Sequence, residues 1–279
     1  MYENQKSDFE ERSADFSDDV IGSLEDFDND SIDLNDFEDD SQEGSQYLDE
    51  SHMANVESHK VAKADKKMQD LISQKRQTGD EDRKVASEIF DKLTLQTLYK
   101  LANQGYLDLL NGAVSTGKEA NVLKGVKDDG SYLAVKIYRI ATSDFRKMQY
   151  YIAGDPRFKV RMGNKRQLIK AWVNKEFRNL TRLKDAGVNV PEPSTSLNNV
   201  LIMEYIGDDE GNPAPTVKNL PPSDPDDFYE KLVREMDLFL NKANLVHGDL
   251  SSYNIINYDE KPVIIDVSQS VVRDHVIAG

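Results

Sequence analysis

The stretch from His247 to Asp266 constrains the fold of this chain more than any other. It reads His-Gly-Asp-Leu-Ser-Ser-Tyr-Asn and then Ile-Ile-Asp, so that Asp249 is followed by Asn254 and later by Asp266. One carboxylate can position an attacking hydroxyl or water, while a carboxamide and a second carboxylate can hold the Mg²⁺ that bridges nucleotide phosphates. The apolar pair before Asp266 predicts a buried strand that presents this carboxylate at its end. The chain must therefore fold so that these three side chains converge.

The spacing of these residues matches the H-R-D-x-x-x-x-N catalytic loop of protein kinases. Gly248 stands where that loop usually has arginine. We interpret His247 as a structural residue that supports the loop and takes no part in the chemistry.

A second part of a phosphate site lies upstream, in the segment Leu-Ala-Val-Lys-Ile that contains Lys136. An alternating apolar strand of this kind aims one lysine into a cleft, where it meets the α- and β-phosphates. Such a lysine needs an acidic partner, and Glu176 follows forty residues later on a predicted helix. An ordinary solvated glutamate remains the alternative for Glu176. The buried face of that helix is predicted to include Trp172, Phe177 and Leu180.

Residues 112–119, Gly-Ala-Val-Ser-Thr-Gly-Lys-Glu, nearly fit the Walker A pattern. Glu119 stands where the Mg²⁺-binding hydroxyl should be, and the residues after it read as a strand and not as a helix. We therefore predict a turn between two strands that covers phosphate. In it Ser115, Thr116 and backbone amides donate, and Gly117 permits close approach.

Charge is distributed unevenly along the chain of 279 residues, whose formal net charge is −16. Residues 1–50 hold 19 Asp and Glu against two basic residues, a net of −17, so the other 229 residues sum to +1. This composition predicts a disordered acidic tail. It is either a solubilising segment or, because apolar residues alternate with the acids, a segment that docks on a partner. Residues 51–84 are expected to be a linker with a possible helix.

Several classes of protein are disfavoured by composition. The chain has no cysteine, which excludes disulfides, zinc thiolate sites and a cysteine nucleophile. No apolar run approaches the roughly 18 residues of a membrane span, and the acidic N-terminus does not resemble a secretory signal. We expect a cytoplasmic protein that does not enter a membrane.

Apolar periodicity and turn residues predict the order of elements in the folded part. We expect a helix around residues 95–102, strands at 120–125 and 132–138, an irregular loop at 141–168, a helix at 167–186, a strand at 200–205, a Pro-rich loop at 207–225 and an amphipathic helix at 226–243.

Together these residues resemble the RIO family of atypical protein kinases. The pieces that carry the resemblance are Ser-Thr-Gly-Lys-Glu-Ala at 115–120, Val-Lys-Ile-Tyr at 135–138, Tyr-Ile-Ala-Gly-Asp-Pro-Arg-Phe at 151–158, Lys-Glu-Phe-Arg-Asn-Leu at 175–180, Met-Glu-Tyr at 203–205, and the two motifs of the opening paragraph, extended to Ile-Ile-Asp-Val-Ser-Gln. The form Ser-Thr-Gly-Lys-Glu-Ala is similar to the first RIO subfamily.

The resemblance covers about residues 85–272 and implies an α+β, two-lobed, protein-kinase-like fold for residues 85–279. The N-lobe, 85–203, is expected to be an antiparallel sheet plus helix, and the C-lobe, 204–279, to be mainly helical. Only thirteen residues follow Asp266, without an activation loop or A-P-E segment. The family continues into C-terminal helices, so we expect a partial C-lobe.

The resemblance also implies a site. Asp249 is the catalytic aspartate, Lys136 pairs with Glu176, and Asn254 and Asp266 bind Mg²⁺ or Mn²⁺. Asp266 can itself accept phosphate, and Ser143 is a candidate for autophosphorylation. The residues expected around ATP are Ser115, Thr116, Gly117, Lys118, Glu119, Val122, Lys136, Met203, Glu204, Ile206, Asn254 and Asp266, with the backbone of Glu204 and Ile206 at the adenine edge.

The family acts in late maturation of the small ribosomal subunit, which implies pre-ribosomal particles, both protein and RNA, as partners. Two alternatives remain open. One is a small-molecule phosphotransferase of the aminoglycoside or choline kinase kind, which shares the two acidic motifs. The other is a non-enzymatic assembly factor that uses nucleotide as a latch.

Overall fold

The computed structural model describes residues 91–158 and 164–278. The acidic tail predicted for residues 1–50 and the linker predicted for 51–84 lie outside the described residues. Within the described ranges, no helix is long and apolar enough to cross a membrane.

A five-stranded antiparallel sheet forms the first lobe, in the order β1-β2-β3-β5-β4. The two strands predicted around residues 120–125 and 132–138 are confirmed, and the turn between them is closed by Gly130, whose φ of 82° favours glycine. The strands are β1 (Leu109–Thr116), β2 (Ala120–Val126), β3 (Tyr132–Tyr138), β4 (Pro193–Leu197) and β5 (Val200–Glu204).

Helices cover both faces of this sheet. Helix α1 (Lys92–Asn103) begins at Asp91, whose side chain accepts from the amide of Thr94, and ends before Gly105. It packs its leucines against the face of β3 that carries Leu133, Val135 and Ile137. Because strand side chains alternate, Ala134, Lys136 and Tyr138 point to the opposite face. Helix α3 (Lys165–Asp185) covers that second face and is followed by Gly187.

The loop predicted for residues 141–168 is wrong in its first half. Residues Phe145–Ile152 form a two-turn helix, α2, capped by the side chain of Asp144. Its buried residues Met148 and Ile152 pack in the same cluster as Trp172 of α3. This helix was not predicted from the sequence because it is only eight residues long and the turn-forming residues that follow it, Gly154, Pro156 and Gly163, indicate a loop.

The second lobe begins after β5. The Pro-rich loop is confirmed at 207–224, and helix α4 (Pro225–Asp237) follows it. The helix predicted to run to residue 243 changes at its end into a π-helical turn, Leu238–Lys242. The remaining elements are two short antiparallel pairs, β6 (Leu245–Val246) with β9 (Val271–Val272), and β7 (Ile255–Tyr258) with β8 (Lys261–Ile264).

Candidate active site

Lys136 is the residue at which the two lobes meet. Its ammonium lies 2.7 Å from Glu176 Oε1 on α3 and 3.1 Å from Asp266 Oδ1 in the second lobe. The Glu176 side chain is 1% exposed and that of Lys136 is 10% exposed, whereas that of Asp266 is 41% exposed. The strand, the helix and the Ile-Ile-Asp motif therefore converge on one cation, as the sequence predicts for a phosphate-binding lysine.

Charge and burial set the ionisation of this cluster. Burial alone would lower the pKa of Lys136, but the charges of Asp266 and Glu176 outweigh it and raise the pKa well above its usual value. The nearby ammonium of Lys136 lowers the pKa of Asp266, even though burial opposes this shift. At neutral pH the lysine is thus a cation, and Asp266 is a carboxylate.

Tyr138 is a further member of the cluster that the sequence did not reveal. It follows Lys136 by two positions on β3, so both side chains point to the same face of the sheet. Its hydroxyl donates to Glu176 Oε2. Both oxygens of Glu176 are therefore bound, one by Lys136 and one by Tyr138, and this fixes the orientation of the carboxylate. The sequence signal that could have identified Tyr138 is the period of two along the strand, which places it on the same face as Lys136.

Asp266 has an unusual backbone conformation. Its φ is 59°, in the left-handed region that residues other than glycine rarely adopt. Such a conformation costs about 1–3 kcal/mol and recurs at functional sites. The Ser268 hydroxyl donates to Asp266 Oδ1 at 3.0 Å, the same oxygen that Lys136 contacts. The turn thus holds one carboxylate oxygen against the lysine, while Oδ2 has no hydrogen-bond partner among the described residues.

Gly248 explains why the loop departs from the ordinary kinase pattern. Its φ is 79°, and a Cβ atom at this position would lie 3.0 Å from the backbone oxygen of Gln269. A side chain, arginine included, would strain the backbone and crowd the neighbouring turn. The His-Gly-Asp sequence therefore lets this loop pack closely against residues 266–270.

His247 connects the two motifs through hydrogen bonds. Its Nδ1 accepts from the amide of Asp249 at 3.2 Å, and its Nε2 lies 3.3 Å from the carbonyl oxygen of Ile265. Because Nδ1 accepts a hydrogen bond, it carries no hydrogen in the neutral ring. Nε2 therefore carries the hydrogen and donates it to the Ile265 carbonyl. Burial lowers the pKa of His247, which favours this neutral form. The geometry agrees with a structural role.

Asp249 and Asn254 lie next to each other on the same loop. The Asn254 side-chain amide donates to the Asp249 carbonyl at 2.8 Å, and the Asn254 carbonyl accepts from the amide of Ile265 at 3.0 Å. The Asp249 carboxylate accepts from Gln269 Nε2 at 2.9 Å. Both motifs thus share one network of hydrogen bonds, which leaves Asn254 Oδ1 without a donor among the described residues.

Helix α3 is also bound directly to the turn after Asp266. The ammonium of Lys175, which is fully buried, donates to the carbonyl oxygens of Ser268, at 2.8 Å, and of Ser270. The side-chain amide of Asn179 donates to Val267 and Ser270 carbonyls at 2.8 and 2.9 Å. Burial lowers the pKa of Lys175 to about 7. Both residues lie in the segment 175–180 that carries the resemblance, but sequence reasoning gave neither of them a role, because their partners are backbone atoms.

The residues expected near adenine lie along neighbouring strands. Val122 is opposite Lys136 in the β2–β3 register, and Met203 is opposite Ala134 in the β3–β5 register. At the edge, the Glu204 amide already donates to Glu192 and the Ile206 carbonyl already accepts from Ala214. Among the described residues, the Ile206 amide has no hydrogen-bond partner, and the Glu204 carbonyl has none outside the strand ladder, so the edge offers one donor and one acceptor.

The turn predicted between two strands is present between β1 and β2. It comprises residues 117–119, and a Cβ atom on Gly117 would lie 3.0 Å from the Ala120 carbonyl oxygen. The carbonyl oxygens of Lys118 and Glu119 accept from Thr142 and Arg139 respectively. Within the described part of the chain, no hydrogen bond or ion pair joins Ser115, Thr116 or the turn to the carboxylate cluster. Whether they cover phosphate therefore stays a prediction.

The sequence model of the RIO domain family matches residues 121–278, more than half of the chain. The chain belongs to the RIO family of serine/threonine protein kinases. This RIO kinase is 44% identical over 214 residues to the RIO-type serine/threonine-protein kinase Rio1 of Methanocaldococcus jannaschii, a match that covers 77% of this chain and 73% of that protein.

Relatives in other organisms extend this similarity. The Rio1 kinase of Haloferax volcanii is 42% identical over 239 residues, covering 84% of this chain and 80% of its own length. The human RIO1 kinase is 38% identical over 198 residues, which is 70% of this chain but 35% of the human protein. The RIO kinase chain therefore spans a small part of its human relative.

A solved structure supports the two-lobed kinase-like fold. The Rio2 kinase of Chaetomium thermophilum, solved as an ADP/Mg²⁺-phosphoaspartate complex, superposes with a TM-score of 0.52 at 25% identity. The superposition covers 67% of this chain and 55% of that one. The RIO fold predicted from the sequence is thus confirmed.

The oxygen atoms at this RIO site fit a hard divalent cation. Asp266 Oδ2 and Asn254 Oδ1 are both free of protein donors among the described residues, and oxygen ligands of this kind suit Mg²⁺. No group of three or more His, Cys, Asp or Glu side chains with metal-binding geometry occurs in residues 91–158 and 164–278. Mg²⁺ commonly binds through one or two protein oxygens together with substrate phosphates and water.

Proposed function

We propose that this chain transfers the γ-phosphoryl group of ATP, bound with Mg²⁺ between the two lobes, to serine or threonine hydroxyls or to water. The observation that carries the proposal is the position of Lys136, held between Glu176 on one lobe and Asp266 on the other. A cation so restrained, beside the network that contains Asp249 and Asn254, suits the recognition of a triphosphate.

Each side chain has a distinct role in this proposal. Lys136 binds the α- and β-phosphates, and Glu176, fixed by Tyr138, keeps its ammonium in place. Asn254 and Asp266 hold Mg²⁺, which neutralises charge on the phosphates when it is bound. Asp249 positions the acceptor oxygen, and its own carboxylate is oriented by Gln269.

We propose the Glu204 carbonyl and the Ile206 amide as the partners of the adenine edge. Among the described residues the Ile206 amide has no protein partner and the Glu204 carbonyl has none outside the strand ladder, and together they offer one acceptor and one donor. Val122 and Met203 supply apolar contacts to the ring. The turn of Gly117, Lys118 and Glu119, with Ser115 and Thr116 before it, covers the phosphates by donating backbone amides.

Asp266 is also proposed as a phosphate acceptor. A carboxylate oxygen of Asp266 would attack the γ-phosphorus, the bond to the bridging oxygen would break, and ADP would leave. Water would then hydrolyse the aspartyl phosphate and regenerate the carboxylate. The phosphoaspartate in the Rio2 complex supports this step by similarity, and the exposure of Asp266 supports it in this chain.

We further propose that the chain acts in maturation of the small ribosomal subunit, in the cytoplasm, with pre-ribosomal particles as partners. This part of the proposal follows from the family resemblance. It implies that the relevant acceptor is presented by a particle and not by a small alcohol.

Single-turnover transfer from γ-³²P-labelled ATP with Mg²⁺ tests the chemistry. We expect Asp249→Ala and Asp266→Ala each to abolish transfer, while Asp274→Ala, which changes an exposed aspartate, retains the wild-type rate. Acid-stable label on serine or threonine reports kinase activity, and hydroxylamine-labile label reports an aspartyl phosphate. Turnover retained in either of the first two variants would refute the proposed roles.

A further inference from the structure

The folded part of the chain separates its charges. Residues 139–185 hold thirteen Lys and Arg against four Asp and Glu, a formal charge of +9. Residues 186–279 hold six against sixteen, a formal charge of −10. The near-neutral total of the folded part therefore hides a basic segment, which contains α2 and α3, and an acidic segment, which contains most of the second lobe.

Helices α2 and α3 present this basic segment as one surface. Lys165 at the start of α3 lies over the ring of Phe145 at the start of α2, with its ammonium 5.6 Å from the ring centre. Further along, Tyr151 contacts Trp172, with ring centres 6.1 Å apart. In a third contact, beyond the end of α2, Arg157 donates to Asn179 at 2.9 Å. Because contacts advance along both segments in the same order, the two helices lie side by side.

The solvent side of these helices is cationic. We define the basic face as the five exposed or half-exposed side chains that carry its charge: Arg146, Lys147, Lys170, Arg178 and Arg182. No carboxylate of the described residues lies within ion-pair distance of any of the five. Of the four acids in the basic segment, Glu176 is buried against Lys136 and Asp155 is paired with Arg157, while the exposed Asp144 caps α2 and the exposed Asp185 forms no ion pair with any of the five. The five cations of the basic face therefore form no ion pair with any described carboxylate.

We propose that the acidic tail, residues 1–50, docks on the basic face of its own chain. The tail has a formal charge of −17, and the basic face lies in the one strongly positive segment of the folded part. The acidic second lobe repels the tail and so directs it towards the first lobe. The apolar residues among the tail's acids, such as Leu24 and Phe27, can contact Tyr150, which is exposed on α2.

The chain between the tail and the fold is long enough for this contact. Forty residues, 51–90, separate the tail from the described part. They would span about 60 Å if wholly helical and at most about 140 Å if extended. A domain of this size has a radius of gyration of about 16 Å, so either conformation reaches any face. Covalent tethering gives a local concentration on the order of millimolar, which suits a weak, salt-sensitive contact.

Docking would give the tail a function beyond solubility. While bound, it would occupy the cations that any phosphate-rich partner of this face requires. Such a partner would have to displace the tail, so the tail would set how strongly the first lobe binds polyanions. This inference concerns a surface away from the Lys136 cluster, and it stands independently of the proposed phosphoryl transfer.

Zero-length carbodiimide cross-linking of the full chain tests the contact, because this reagent joins carboxylates only to amines that touch them. We expect links from residues 1–50 to Lys147 and Lys170, and none to Lys242 or Lys261 on the acidic second lobe. Raising the salt from about 0.05 to 0.5 M should lower the yield at least about fivefold. In a mixture of ¹⁵N-labelled and unlabelled chains, the links should join peptides of the same isotope.

Two charge variants sharpen the test. Arg146→Glu with Arg182→Glu should lower the yield of links to Lys170 at least about fivefold, whereas the matched control, Lys242→Glu with Lys261→Glu, should not lower it. Replacing the nine acids between residues 25 and 40 by their amides should strengthen binding of an RNA homopolymer. Links spread evenly over all lysines would overturn the proposal. Unchanged RNA binding after neutralisation of the tail would also overturn the proposal, because it would show that the basic face binds nucleic acid without competition from the tail.

Discussion

Lys136 Nζ lies 3.1 Å from Asp266 Oδ1, although 130 positions separate the two residues in the chain. The same ammonium lies 2.7 Å from Glu176 in α3. One cation therefore joins the sheet, the helix behind it and the second lobe. Its removal should affect both the stability of the fold and the binding of nucleotide, and the two effects can be measured separately.

Replacement of Lys136 by Met should lower the free energy of unfolding by about 3–5 kcal/mol, because it leaves the buried Glu176 carboxylate without its cation. Asp266 is more exposed and contributes less to this loss. Urea denaturation at pH 7 measures the effect, and single-turnover transfer measures the accompanying loss of activity.

A second substitution separates these effects. In Lys136→Met with Glu176→Gln, no buried carboxylate is left unpaired, so more than half of the lost stability should return. Phosphoryl transfer should stay absent, since the phosphate-binding cation is still missing. If stability did not recover, the loss would have to come from packing of the lysine stem and not from the uncompensated charge.

Tyr138→Phe should lower the free energy of unfolding by about 1.5–3 kcal/mol, the usual contribution of a hydrogen bond to a charged group. The hydroxyl that donates to Glu176 Oε2 would be lost, and Glu176 would be free to rotate away from Lys136. The KM for ATP should rise. Tyr150→Phe is the matched control, because that ring is partly exposed on α2, and it should change stability by less than about 0.5 kcal/mol.

The pair of side chains formed by Lys136 and Glu176 could be predicted from the sequence. The period of two along β3 placed Lys136 in a cleft, and the helical pattern around Trp172 placed Glu176 on a buried face. Lys175 and Asn179 are on the same helix, but they bind backbone carbonyls of the turn after Asp266. Both residues lie in the segment 175–180 that carries the family resemblance, but backbone acceptors leave no mark in the sequence, so nothing in it assigned these two side chains a role.

Elements with weak patterns were missed or, like the strand before the predicted turn, given no bounds, for a related reason. Strand β4 contains Pro193 and three hydroxyl residues, a composition that only an edge strand tolerates. Strand β1 contains Gly112 and pairs irregularly with β2. Its side chains are at most half-buried. In both strands the pairing with a neighbour, and not the apolar period, determines the structure.

Lys175→Met should change how stability depends on pH. Burial lowers the pKa of Lys175 to about 7 in the fold, whereas an unfolded chain has the usual lysine value of about 10.4. Between these two values the unfolded state binds one more proton, so the free energy of unfolding rises with pH. The variant lacks this contribution. Relative to the variant, wild type should gain at most about 1.4 kcal/mol per pH unit from pH 7 upward.

Urea denaturation of both proteins at pH 7, 8 and 9 provides the measurement, and the difference between their curves isolates Lys175 from all other titrating groups. Lys170→Met, on the exposed side of the same helix, should follow wild type in parallel. Parallel curves for Lys175→Met and wild type would show that the fold does not lower the pKa of Lys175.

Gln269→Leu should slow phosphoryl transfer without weakening the binding of ATP. Gln269 Nε2 donates to Asp249 Oδ2 at 2.9 Å and has no role in the proposed phosphate or adenine contacts. Without this bond Asp249 can rotate, and a misplacement of about 1 Å costs up to roughly a hundredfold in rate. Single-turnover rates should fall about tenfold to a hundredfold, while the KM for ATP stays within about twofold of wild type. Gln167→Leu, an exposed glutamine of α3, is the matched control, and a rise in KM at an unchanged rate would contradict this positioning role.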